Sequence, residues 1–496
     1  MYVFGNARRS LSLVFFLLAL PSFLGFQVSL LEQTPSPAEV EKHIRFLASD
    51  ELRGRKPGTD GDHVAARYIA EHFRAHGLAP APGFNDFFQP VPLQRVQMPE
   101  RQQVWLLGTE LPGEDFILVQ GESCRIEGEL IEIDSSRTTA TNQQNDLRGM
   151  IATTTLAVLD ASFLDSVRDR VKTLRERGAE AVIGFYDGTG WEGWEDFLSR
   201  ARLSLASEEG YEKIPFLLVR DRDRALRSKL ETPGKHTARI ILSERRVEEV
   251  RTANVIGVLE GQDPRLKDEW VALTAHFDHI GEGLDLAGAT PEDSIFNGAR
   301  DNAMGVTALL SAATTLSASR PARSVIFIAF TAEEAGLLGS AYYVSHPAVP
   351  LEKTVFVLNA DGAGYTDTST VTVIGLGRTT AAPEIEQACR ESGLEAFGGG
   401  PGLQDFFNAS DNLSFAKKGV TAVLFSPGMR VFGAEIRKYY HQPSDEADEN
   451  FDFAYLHRFC QAYALAADLV ANRPTRPSWV PGDKYAEAAA ELYGGQ

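Results

Sequence analysis

Histidine, aspartate and glutamate recur in this chain at the ends of apolar runs, which is where a sheet can gather them. His276-Phe277-Asp278 closes the run Trp270–Ala275, and Asp361-Gly362 closes Thr354–Ala360. Thr331-Ala-Glu333-Glu334-Ala-Gly336 follows Val325–Phe330, and Tyr439-Tyr440-His441 comes shortly after Ala422–Ser426. Asp301-Asn302 stands just before Val306–Ser319, where short polar side chains cap free backbone N–H groups. Imidazole nitrogens and carboxylate oxygens in this proportion suit zinc, and the carboxylates are free to bridge two ions. Adjacent glutamates make chemical sense when one binds metal and its neighbour handles protons. Zinc lowers the pKa of a bound water to about 7, from about 15.7 in bulk, and a nearby carboxylate can take the proton and return it to a departing amine.

The elements that must position these groups can be read from the same runs. Continuous apolar stretches such as Val325–Phe330 are what a strand covered on both faces requires, and Val306–Ser319 is small, apolar and proline-free enough for a packed helix. The alternation of such strands with helices from Thr252 onward describes a sheet clothed on both sides. Ligands bind at the carboxyl ends of strands in sheets of this kind. Taken singly each group is ordinary: a surface His-x-Asp, a helix cap, a solvated acidic pair, a turn aspartate, a surface histidine. Together they fall on one rim.

The rest of the chain is organised around that rim. Arg8-Arg9 followed by Leu11–Leu20 reads as a secretory signal, with an uncleaved single-span anchor as the alternative. This assigns residues 1–31 to export and places the body outside the cytoplasm. Residues 35–96 carry helical patterns over Pro37–Leu47 and His63–His76, separated by the loop DELRGRKPGTDG. Residues 97–251 change texture to short alternating strands, with no His, Asp and Glu at ligand spacing, and read as an inserted β-rich domain that walls or gates a site held elsewhere. Within it Asp187–Glu195, rich in Gly and Trp, reads as an exposed loop. Residues 252–473 return to the strand–helix alternation, and 474–496 form a proline-bearing tail with a short alanine-rich helix. A net charge of −19 argues against binding a phosphate backbone. Three scattered cysteines, Cys124, Cys389 and Cys460, are too few for a disulfide framework or a thiolate metal site.

AHFDHIG, FNGARDNAMG, FTAEEAGLLGS, NADGAG and YYHQPSDEAD resemble, in order, the motifs of the co-catalytic di-zinc aminopeptidase family. That family also holds glutamate carboxypeptidase, glutaminyl cyclase and the transferrin receptor. The resemblance covers about residues 275–448. DELRGRKPGTDG is similar to the family's early loop, and LRGMIA, RGAEAVIGFY and IPFLLV are similar to its inserted protease-associated domain. The resemblance implies an α/β fold, a mixed, mostly parallel sheet sandwiched by helices and interrupted by the smaller insert. It implies two zinc ions: His276 and Asp361 on one, Glu334 and His441 on the other, Asp301 bridging both. Glu333 would be the general acid/base, Asp278 would orient His276, and Tyr439 or Tyr440 would support an oxyanion. Arg300 departs from the acidic or small residue that many relatives carry there, and Asp411-Asn412 matches a family loop near the site. The implied activity is removal of N-terminal residues from peptides. A carboxypeptidase would need a cationic pocket, a cyclase would lack the insert and use one zinc, and a non-catalytic receptor would have lost ligands that this chain retains.

Overall fold

The computed structural model describes residues 30–133, 146–156, 163–186, 191, 193–194, 202–206 and 213–494. The segment read as a signal or anchor therefore lies outside the described residues, apart from Leu30 and Leu31. Among the described residues no helix is long and apolar enough to cross a membrane.

Nine strands form the path of the main sheet: β1 (Phe88–Gln97), β2 (Arg202–Leu205), β3 (Arg246–Leu259), β4 (Trp270–His276), β5 (Ser324–Phe330), β6 (Thr354–Ala360), β7 (Thr370–Ile374), β8 (Glu395–Phe397) and β9 (Ala422–Pro427). They lie in the order β8-β7-β9-β6-β4-β5-β3-β1-β2, and a two-residue strand, Ala79–Pro80, pairs off this path with β3. The four central strands, β9, β6, β4 and β5, run parallel. Antiparallel pairing begins outside them, at β3 on one flank and β7 on the other. Every residue of β5, β6 and β9 is buried, as their unbroken apolar sequences require.

Helices cover both faces. On one side pack α1 (Pro37–Leu47), α2 (Asp60–Ala75), α3 (Met304–Ser319), α4 (Ala382–Glu391) and α5 (Phe453–Asn472), joined by one apolar cluster that includes Ile44, Phe73, Leu309, Ile385 and Phe459. On the other side Tyr343, Phe415 and Trp479 close over Ile328, Val357 and Leu424. Local signals start these helices: Ser36 and Glu39 form a reciprocal capping box at α1, and Thr59 accepts from the Asp62 N–H at α2. At α3 the cap falls to Asn302 rather than Asp301, because Asn302 Oδ1 accepts from the Gly305 N–H at 3.0 Å.

A second, eight-stranded mixed sheet is built from Gln102–Leu106, Phe116–Gln120, Cys124–Glu132, Met150–Leu156, Ala181–Tyr186, Phe216–Arg220, Thr237–Leu242 and the short Thr109–Glu110. It has its own apolar cluster on each face. The chain leaves and re-enters the main sheet along β1 and β3, which pair from Gln97–Arg246 to Phe88–Val255. Thus β3 runs unbroken through residue 251, and β2 returns from within the inserted segment to pair with β1. Trp191 is only 1% exposed, which corrects the reading of an exposed loop at that residue; most of Asp187–Glu195 lies outside the described residues. All three cysteines are free.

Where α1, α2 and α3 meet, His43 Nδ1 lies 2.7 Å from the Tyr68 hydroxyl, and its ring meets that of His72 edge-on at 4.9 Å. His72 Nε2 donates to the Leu310 carbonyl at 3.0 Å. Burial pushes the His43 imidazole down to about 4 and the His72 imidazole down to about 3, from an ordinary 6.5. Both are neutral in the folded chain, so below pH 6.5 the unfolded chain takes up protons first. The stabilisation present above that pH is lost as pH falls toward the folded values. For His43 the loss between pH 7 and 5 is about 2 kcal/mol. Urea titrations of wild type and His43→Asn at both pH values check this: the acid loss should shrink by about that amount in the variant.

Candidate metal centre

The centre lies at the carboxyl ends of the parallel strands, on both sides of β4. His276 is the last residue of β4, Asp361 follows β6 on one side, and Glu333-Glu334 follow β5 on the other. Asp301 enters from the turn before α3, and the Asp301–Asn302 peptide is cis. His441 arrives from the loop after β9. Two of the turns that deliver these groups hold non-glycine residues in the left-handed region, Ala332 at φ +56° and His441 at φ +54°. Such conformations persist only where surrounding structure imposes them.

The side chains converge in two halves that share Asp301. On one side His276 Nε2 lies 3.1 Å from Asp361 Oδ1 and 3.3 Å from Asp301 Oδ1. On the other, His441 Nε2 lies 3.3 Å from Asp301 Oδ2 and 3.0 Å from Glu334 Oε2. Glu333 Oε2 is further from His276 Nε2, at 3.9 Å. All these residues are buried except Glu334 and His441, which are partly covered.

Asp278 sits two residues beyond the end of β4 and is fully buried. Its carboxylate accepts from the Glu333 N–H at 3.0 Å and the Glu334 N–H at 3.3 Å, so it holds the backbone of the glutamate pair. His276 Nδ1 is 3.7 Å from that carboxylate and donates instead to the carbonyl oxygen of Asp278, at 3.2 Å. Tyr440 stacks on the His441 ring at 3.9 Å, whereas Tyr439 lies over the Arg300 guanidinium at 3.9 Å. The two tyrosines therefore face different partners. Asp411 is buried beside the cluster, and burial pushes its carboxyl up to about 7. Asn412 donates to the Phe407 carbonyl at 2.9 Å.

Several supporting residues carried no signal in the motif reading. Asn302 donates to the carbonyls of Ala360 and His276, at 3.0 and 3.4 Å, tying the ends of β6 and β4 to α3. Ser410 donates to Asp361 Oδ2. Arg55, 1% exposed, donates to the carbonyls of Phe277, Leu47, Asn297 and Gly298, and so clamps two loops of the centre to the early DELRGRKPGTDG loop. Asp445 accepts from the N–H groups of Arg300 and Asp301, at 3.0 and 3.1 Å, and from the Arg300 guanidinium at 3.0 Å. His279, three residues after His276, is fully buried with Nδ1 2.7 Å from Glu334 Oε1. Its hint was that a second histidine should so closely follow the first in an apolar strand end.

Electrostatically the cage draws positive charge. Burial works against protonation of His276, yet the Glu333 and Asp361 carboxylates raise its pKa well above the ordinary value. For His441 burial again opposes, and Glu334 foremost lifts it to about 10. Burial and Asp301 push Glu334 upward, but His441 and His279 hold it down to about 2. Burial raises Glu333 well above the usual carboxylate range. Several carboxylates buried at one rim require cations to offset their desolvation. The donor set fits divalent metal: nitrogen and oxygen atoms of His276, Asp301 and Asp361 lie within 4.8 Å of one another, as do those of His279, Asp301 and Glu334. His441 Nε2 and Glu334 Oε1, both buried atoms, have no hydrogen-bond partner.

Fold and centre together describe an α/β metallopeptidase architecture. Residues 254–467 match the model of peptidase family M28. The fold is similar to that of an aminopeptidase from Aneurinibacillus sp. strain AM-1, with a TM-score of 0.57 over 92% of this chain and 98% of that one, at 20% sequence identity. In sequence the chain is 30% identical over 169 residues to a vacuolar membrane protease of Saccharomyces cerevisiae strain S288c, covering 34% of this chain and 15% of that protein. It is 27% identical over 200 residues to the aminopeptidase YwaD of Bacillus subtilis, covering 39% and 40%. The matched region thus spans well under half the length of these relatives.

The Arg300–Asp445 pair is buried, and removing one partner of such a pair costs about 3–5 kcal/mol. Asp445→Asn should lower unfolding stability by roughly 3 kcal/mol. In a double-mutant cycle with Arg300→Met, measured by denaturant titration, the two losses should be strongly non-additive; additive losses would deny the coupling.

Proposed function

We propose that the protein is an exported zinc-dependent aminopeptidase that hydrolyses the first peptide bond of its substrates. The observation that carries this reading is the placement of Asp301, whose two carboxylate oxygens each stand 3.3 Å from a different histidine. A carboxylate so placed suits a bridge between two cations, with His276 and Asp361 holding one and Glu334 and His441 the other. Two zinc ions in such a cage supply Lewis acidity, polarising the scissile carbonyl and lowering the pKa of an attacking water.

The remaining steps belong to the chain. Glu333 stands on the same rim, further from His276 than the proposed ligands and with its backbone N–H fixed by Asp278. Its carboxylate takes the proton of the attacking water and delivers it to the departing amine. Burial favours the protonated carboxyl of Glu333, which makes it an effective proton carrier in the second half of that exchange. Tyr440 donates a hydrogen bond to the developing oxyanion, a role supported by its stacking on His441 and by burial, which keeps its hydroxyl protonated. Residues 97–251, with their separate sheet, serve as a protease-associated-like insert that walls the site. Arg8-Arg9 and the apolar run after them support export as a secreted or anchored enzyme.

Aminoacyl chromogenic amides test the proposal. Glu333→Gln should retain its metal while kcat falls by about 10²–10⁴-fold. Chelation should abolish wild-type turnover, and zinc should restore it. Unchanged turnover in the variant would remove Glu333 from the mechanism, and cleavage confined to C-terminal residues would replace the aminopeptidase with a carboxypeptidase.

A further inference from the structure

The turn that carries the glutamate pair rests on an apolar cluster, and part of that support comes from the inserted segment. The turn runs from Ala332 to Leu338 and is tightly closed. The Glu333 carbonyl accepts from the Gly336 and Leu337 N–H groups, both at 2.8 Å, and the Ala332 carbonyl accepts from the Leu338 N–H at 3.0 Å. Ala332 and Leu337 sit in the left-handed region, at φ +56° and +60°, conformations that neighbouring structure must impose. Polar contacts hold one side of the turn, through Asp278 and through Asn254, whose side-chain oxygen accepts from the Thr331 N–H at 3.2 Å. Packing holds the other. Ala332, fully buried, and Leu338, 7% exposed, share one apolar cluster with Val91, Leu93 and Val250, and Leu203 and Leu205 of β2 pack against it.

We propose that β2 is a positioning element for Glu333, its Leu203 and Leu205 side chains setting the place of the Ala332–Leu338 turn, an inference that rests on the role given to Glu333 above. The strand is four residues that the inserted segment adds to the edge of the main sheet. It pairs antiparallel with β1 from Leu205–Leu93 to Arg202–Val96, and the Ala206 N–H extends the ladder to the Pro92 carbonyl at 2.8 Å. Leu203 and Leu205, two apart along a strand, share one face. From the opposite face Arg202 donates to the carbonyl of Val119, at 3.3 Å, in the second sheet. One short strand thus joins the insert's own sheet to the turn that holds the glutamate pair. A close-packed cluster passes on a displacement rather than absorbing it. A shift of about 1 Å at a reacting group can lower the rate about 10²-fold. Leu203 and Leu205 act on the chemistry through the turn, not by contact with the reacting atoms.

The test uses the full-length, zinc-loaded protein with leucine p-nitroanilide as substrate, and far-UV circular dichroism to establish that each variant is folded. Leu203→Ala/Leu205→Ala is compared with wild type, and Leu205→Ala alone serves if the double variant does not fold. The expected result is a fall in kcat of about tenfold, with KM within about twofold and bound zinc unchanged. Leu203→Met/Leu205→Met keeps the side-chain volume and should restore most of the lost kcat. In the Glu333→Gln background the same alanines should lower the residual kcat by less than about twofold, because the group they position is already gone. Unchanged kcat in the folded alanine variant would overturn the assignment. So would an undiminished loss in the Glu333→Gln background, or a loss that simply follows zinc content, either of which places the effect elsewhere than at Glu333. Full turnover by Glu333→Gln alone would instead remove the role given to Glu333, and this inference with it.

Discussion

Excess negative charge buried at one rim of the sheet is the constraint on which the rest depends. Asp278, Asp301, Glu333, Asp361 and Asp411 are buried there, with Glu334 nearly so. No fold gathers that many carboxylates away from water unless hydrogen bonds and cations offset the desolvation. The chain supplies part of the offset itself. Arg55 brings a fully buried guanidinium within electrostatic reach of Asp278, Asp301 and Asp445, while Asp278 takes up two backbone N–H groups. What the chain leaves unsatisfied, above all around Asp301, Glu334 and the histidines, is the part suited to divalent metal.

The architecture serves that concentration of charge. Four parallel strands place His276, Asp361 and the Glu333-Glu334 pair on adjacent positions of one edge, which an antiparallel arrangement would send to opposite ends. The groups that do not come from strands are tied down by other means. Asp301 is fixed through the Asp445 carboxylate and through Asn302, which reaches the ends of β4 and β6. Asp445 lies in the same loop as His441, and its carbonyl accepts from the Ala299 N–H at 2.9 Å. Asp301 and the loop that carries His441 are thus held by one buried ion pair. Three aromatic rings, Tyr439, Phe451 and Tyr365, line the guanidinium of that pair. Arg300, which breaks the expected pattern before Asp301, thereby becomes a structural link rather than a charge added to the centre.

Some of this was legible in the residues and some was not, for physical reasons. Buried parallel strands write themselves as unbroken apolar runs, so Thr354–Ala360 could be delimited to the residue. The groups at strand ends stood out because a polar residue closing such a run is conspicuous. Side chains that act through backbone contacts have no such signature. Arg55 in DELRGRKPGTDG, Asn302 and Asp445 look like surface or turn residues until the loops they bind are brought together. The same holds for Asp278, whose spacing from His276 suggests a partnership with that ring. Its carboxylate stands 3.7 Å from His276 Nδ1 and also accepts from the backbone N–H groups of Glu333 and Glu334, a second contact that the spacing does not announce. The antiparallel flanks of the main sheet were equally hidden, since alternation of strand with helix says nothing about the long β1–β3 ladder that spans the inserted segment.

The central claim is that Asp301 stands between two cations. Anomalous diffraction at the zinc edge from crystals of the zinc-loaded protein tests it most directly. The account predicts two peaks, one beside His276 and Asp361 and one beside Glu334 and His441, about 3.5–4 Å apart with Asp301 between them. A single peak, or two peaks with no contact to Asp301, would contradict it.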